Sequence, residues 1–77
     1  MNKHLKSPFE IVADELKIKI EELDNQSCMG LTHNWDSLNH VGIISALEEA
    51  YSISISDNDL MKYNNMETIV KLYESLR

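Results

Sequence analysis

Apolar residues recur at helical spacing along most of the 77-residue chain. Ser7-Pro8-Phe9-Glu10 has the form of a capping box with proline at the first helical position. A first helix is therefore expected from about Pro8 to Leu16, with Phe9, Val12 and Leu16 as its apolar stripe, Ala13 beside it and Leu5 just before. The spacing then changes. Ile18, Ile20 and Leu23 read as apolar pegs in a long loop, residues 18–35, that crosses the bundle, with Cys28, Met29 and Leu31 as further candidates. A second helix is expected from about Ser37 to Tyr51, capped by Asp36, whose carboxylate would accept the Asn39 backbone N–H. Steps of about 100° per residue place Val41, Ile44, Leu47 and Tyr51 on its core face, flanked by Ile43. Leu38, Asn39, Gly42, Ser45, Ala46 and Glu49 fall on the opposite side.

Ile53 and Ile55 alternate with serines, but no partner strand is evident, so they read as anchors in a loop. Asp57 would cap a short third helix, about Asn58 to Lys62, with Leu60 and Tyr63 packed inward. A final helix is expected to begin near Asn65 or Thr68, with Ile69, Leu72, Tyr73 and Leu76 at i, i+3, i+4 and i+7. The expectation is an all-α bundle of four helices with a long first loop and a short third helix.

Length limits this to one domain, spanning 1–77 with an ordered core of about 8–76. A chain this short buries only about 60% of its unfolded surface, which leaves little room for a deep catalytic cleft. The single Cys28 excludes an internal disulfide. No apolar run follows Lys3, His4 and Lys6, so no secretory signal and no membrane insertion are expected, and a cytoplasmic location follows. Formal charge is −6. Residues 1–19 balance to +1 and residues 20–77 to −7. That acidity argues against nucleic acid and for basic protein partners met by electrostatic steering.

The chemistry is carried by Asp36-Ser37-Leu38 at the opening of the second helix. Ser37 stands where unpaired backbone N–H groups and the positive end of the dipole tolerate a phosphate, a contribution of about 0.3–1 kcal/mol. Asp36-Ser37-Leu38 lies near mid-chain, after a long loop. It is followed by Ala46-Leu47-Glu48-Glu49, Ile55-Ser56-Asp57 and Thr68-Ile69. In that order and spacing, the chain resembles the acyl carrier protein family from about Phe9 to Leu76. The resemblance implies a non-enzymatic carrier in fatty acid or related lipid metabolism. Its cofactor would be 4'-phosphopantetheine, delivered from coenzyme A to Ser37 by a phosphopantetheinyl transferase, with Asp36 and Leu38 flanking the attachment. Leu38, Asn39, Gly42, Ser45 and Glu49 would meet the acyl-loading and acyl-transfer enzymes, and the carrier would work as a monomer.

Other chemistries find less support. Ser37 with His40 or His33 lacks a Gly-x-Ser-x-Gly elbow and an oxyanion hole. His40 falls toward the core flank, which suggests packing. Cys28, His33 and His40 lack metal-ligand spacing, so no metal is expected. An aminoacyl or peptidyl carrier with the same arm, and an unmodified helical interaction module, remain as alternatives, because cargo is set by enzymes outside this sequence. Two departures from the family pattern stand out. His33-Asn34-Trp35 replaces the common Leu-Gly-x before the motif, leaving Trp35 either to close the bundle end or to lean toward the arm. Asn39 and Gly42 stand where fatty-acid carriers usually have acidic residues. Both point to a carrier for a dedicated biosynthetic pathway.

Overall fold

The structure, a computed structural model, describes residues 5–76. Lys3, His4 and Arg77, and with them part of the N-terminal basic cluster, lie outside the described residues. Three α-helices form, α1 (Pro8–Leu16), α2 (Ser37–Tyr51) and α3 (Met66–Ser75), with a 3₁₀ helix, Asp57–Tyr63, between α2 and α3. The four-helix expectation holds, its short third member being 3₁₀ rather than α. A 3₁₀ turn at Ile20–Glu22 interrupts the long loop.

The helix ends follow local chemistry. Ser7 caps α1, but its Oγ accepts from Phe9 N at 3.2 Å instead of closing the expected box with Glu10. Proline at the first position needs no donor, so Phe9 offers the nearest N–H. Lys17, at φ 57°, ends α1 in the left-handed region. Asn65 caps α3 by accepting Thr68 N at 2.9 Å. Ser27 O accepts Met66 N and Asn64 O accepts Met29 N, both at 2.9 Å, which pins the long loop to the start of α3. Glu48 Oε2 takes Ile55 N at 2.7 Å and fastens the loop after α2.

The core is built from Ile11, Val12, Ala13 and Leu16 of α1, Ile43, Ile44, Leu47 and Tyr51 of α2, Met66 and Ile69 of α3, and Leu23 and Trp35 of the loop. Phe9, Ile18, Met29, Ile53, Ile55, Leu60 and Tyr63 pack half-buried around it. Several expectations need correction. Val41 is 51% exposed, whereas His40 is only 1% exposed. Counting apolar positions alone shifts the centre of the buried face toward Val41, one residue or about 100° from the imidazole that occupies it. Ile20 and Leu31 are exposed and are not pegs, and Leu76 lies outside the packed face of its helix.

Tyr51 closes the end of α2 away from Ser37. Its hydroxyl donates to Lys6 O at 2.8 Å, and its ring meets Tyr73 at 5.9 Å. Burial, and secondarily the neighbouring Tyr73, pushes its pKa from 10.0 up to about 12. The folded phenol therefore keeps its proton at a pH where the unfolded one loses it. Its stabilising contribution is complete below about pH 10 and is lost between about pH 10 and 12. Thermal melts followed by circular dichroism should show a falling melting temperature across that window. Tyr51→Phe should melt lower at neutral pH, having lost the Lys6 bond, yet show a shallower alkaline fall.

Candidate functional site

The approach to α2 is built by Asn34. Its backbone is left-handed, at φ 66°, a conformation asparagine tolerates better than most residues. The side-chain Nδ2 donates to Leu16 O at 2.8 Å, satisfying a carbonyl at the C-terminus of α1. Its own carbonyl accepts Asp36 N at 3.1 Å and Asn39 Nδ2 at 2.8 Å. One residue thus joins the end of α1 to the first turn of α2. Gly30, at φ 93°, donates its N–H to Trp35 O at 2.9 Å and fixes the loop just before it.

Asp36 caps the helix as expected, accepting Asn39 N at 2.8 Å through Oδ1. Its carbonyl accepts His40 N at 2.9 Å as the first bond of the helix. Ser37 follows as the first helical residue and is exposed. Its hydroxyl therefore stands at the N-terminus of a 15-residue helix, where partial positive charge and spare N–H groups favour an anion. An exposed hydroxyl at such a mouth fits a phosphodiester on steric and electrostatic grounds.

The predicted residues do not share one environment. Leu38 is 80% exposed, and Ser45 and Glu49 are also exposed. Asn39 is half-buried, with its amide engaged by Asn34. Gly42 is half-buried against α1, since a Cβ there would lie 2.7 Å from Glu15 Oε1. A larger residue there would require the exposed Glu15 side chain to shift. Sequence reasoning missed the exposure of Val41, of Leu31 at 85% and of Met61 at 50%. Apolar periodicity placed Val41 on the core face, so it gave no signal of that exposure.

His33 is exposed, while His40 turns inward, so the three candidates Cys28, His33 and His40 are not presented together. Among the described residues no cluster of metal-ligating side chains forms. Trp35 is buried, 2% exposed, and donates from Nε1 to His40 Nδ1 at 3.1 Å. Of the two readings for this residue, the structure selects closure of the bundle end.

Residues 9–73 match the family described as the phosphopantetheine attachment site. The acyl carrier protein of Buchnera aphidicola subsp. Schizaphis graminum (strain Sg) is 36% identical over 67 residues, covering 87% of this chain and 85% of the relative. That of Phytoplasma mali (strain AT) is 29% identical over 62 residues, covering 80% and 74% respectively. The chain belongs to the acyl carrier protein family. It is a carrier and not an enzyme, its cofactor is covalently bound 4'-phosphopantetheine, and it interacts with acyl-handling enzymes. Among the described residues no helix is long and apolar enough to cross a membrane.

The Asn34 junction gives a stability test. Asn34→Ala should cost about 2 kcal/mol, roughly half from the lost bond to Leu16 O and half from holding alanine at positive φ. Asn34→Gly relieves the backbone and should lose distinctly less. Denaturant unfolding of both variants measures the two contributions separately.

Proposed function

We propose that Ser37 is the attachment residue and that the protein is a single-domain, monomeric, cytoplasmic carrier for a dedicated biosynthetic pathway. The observation that carries this reading is the exposed Ser37 hydroxyl at the capped N-terminus of α2. A phosphopantetheinyl transferase would form the bond from Ser37 Oγ to the phosphorus of coenzyme A. The bond to the 3',5'-ADP leaving group breaks, and the transferase takes up the serine proton. Nothing in the carrier need activate the hydroxyl. Once bound, the arm supplies a thiol on which an acyl group is held as a thioester. Asp36 keeps the first turn formed, and Leu38 stands beside the attachment.

Partner recognition centres on Leu38, Ser45 and Glu49, with Val41 extending the apolar part of the same helix. Asn39 and Gly42 contribute through α2 itself, the first by holding its approach and the second by letting it lie close to α1. With neutral residues at both positions, this face relies less on charge and more on apolar contact. That balance supports partners other than those of a strongly acidic carrier, and hence a dedicated pathway.

Intact-mass spectrometry after incubation with coenzyme A, Mg²⁺ and a broad-specificity transferase should show a gain of one phosphopantetheine. Ser37→Ala should show none while keeping the wild-type circular dichroism spectrum. A persisting gain in that variant would place the attachment elsewhere. Leu38→Asp should be modified about tenfold more slowly, the loss expected for one apolar anchor. An unchanged rate would remove Leu38 from the recognition surface.

A further inference from the structure

One buried polar chain lies directly beneath the attachment turn. His40, three residues after Ser37, points its ring inward and is 1% exposed. Nδ1 accepts from Trp35 Nε1 at 3.1 Å, and Nε2 lies 2.8 Å from Leu60 O. An indole N–H only donates and a carbonyl only accepts, so these partners assign the proton to Nε2. The two rings lie nearly parallel, 26° apart with centroids 6.2 Å from one another. The chain bolts together three segments: the loop before α2, α2 itself, and the 3₁₀ helix Asp57–Tyr63.

This bolt sits one helical turn after Ser37 and ties α2 to the 3₁₀ helix. An acyl chain passing between these two elements would have to part them. Doing so would leave the Trp35 N–H and the Leu60 carbonyl without partners, and methylene groups replace neither. In the core, Leu16, Ile43, Leu47, Met66 and Ile69 are already fully buried side chains. Among the described residues no buried side-chain polar atom lacks a hydrogen bond, so nothing polar in the interior waits for a ligand. A chain held outside meets water, at a cost that grows with each methylene.

We infer that Trp35 and His40 are specificity-determining residues that exclude the cargo from the bundle, fitting this carrier to short or polar acyl groups. The inference rests on attachment at Ser37. Trp35 is the chain's one tryptophan, so its emission reports on the bolt directly. The holo protein should be prepared with acetyl, butyryl, octanoyl and tetradecanoyl arms, loading being verified by intact mass. In the wild type, melting temperature and Trp35 emission should be the same for all four. In Trp35→Leu, which shortens the bolt and opens space, the longer chains should raise the melting temperature by more than about 4 °C over acetyl. A chain-length-dependent rise of that size in the wild type, with an emission shift, would overturn the inference. The wild-type comparison decides the matter even if Trp35→Leu does not fold. Absence of any mass gain would overturn attachment itself, and this inference would fall with it.

Discussion

The first turn of α2 has to satisfy two opposed demands, and the bond from Asn34 to Leu16 O lets it meet both. Ser37 must stand in solvent, while His40, one turn further on, must be buried. A helix meets both demands only if its rotation about its own axis is fixed, because a small roll would bury the serine or expose the imidazole. Asn34 fixes the start of the helix from outside by gripping α1 and accepting the Asn39 amide. The Trp35–His40–Leu60 chain fixes it from inside. Each constraint is weak alone, about 1 kcal/mol net for an ordinary hydrogen bond. Together they set position and roll through contacts about 100° apart around the helix.

The limits of α1 and α2 were legible because each carries its own terminating chemistry. Proline and serine open α1, and Asp36 opens α2 by capping a backbone N–H three residues away. The Asp36-Ser37-Leu38 motif was legible for the same reason, since the proposed attachment serine directly follows its cap. The buried face of α2 was only half legible. Apolar periodicity finds Ile44, Leu47 and Tyr51, but it gives no weight to a histidine and too much to Val41. The partners that allow His40 to be buried lie five residues before it and twenty after it. No local pattern reports such a pairing. The exposure of Leu31 and Met61 depends likewise on how the loop and the 3₁₀ helix settle.

Gly42 shows how a departure from a family pattern can have an internal cause. Read in the sequence, a glycine in mid-helix suggests that something approaches from outside. In the structure the near neighbour is Glu15 of α1, across the principal helix contact. The carboxylate is the end of a flexible side chain and could yield, so the contact does not forbid a larger residue. Leu38 and Val41 are the large exposed apolar residues of this helix, and nothing within the described fold explains their exposure.

Charge and packing divide the remaining tasks. Formal charge is −6, and the described ion pairs, Lys6–Asp14 and Lys71–Glu67, lie on the exposed surface, where salt screens them. An acidic surface favours basic partners at a distance but discriminates poorly between them at contact. On the proposed reading, discrimination would fall to short-range features around Ser37: an exposed leucine, a neutral Asn39, and a closed interior. A carrier whose interior is closed presents its cargo to every partner all the time. The partner has no chain to extract before reaction, and selectivity passes from the carrier's core to the enzyme's own pocket. On the inference drawn above, Trp35 and His40 would bear on partner choice without touching any partner.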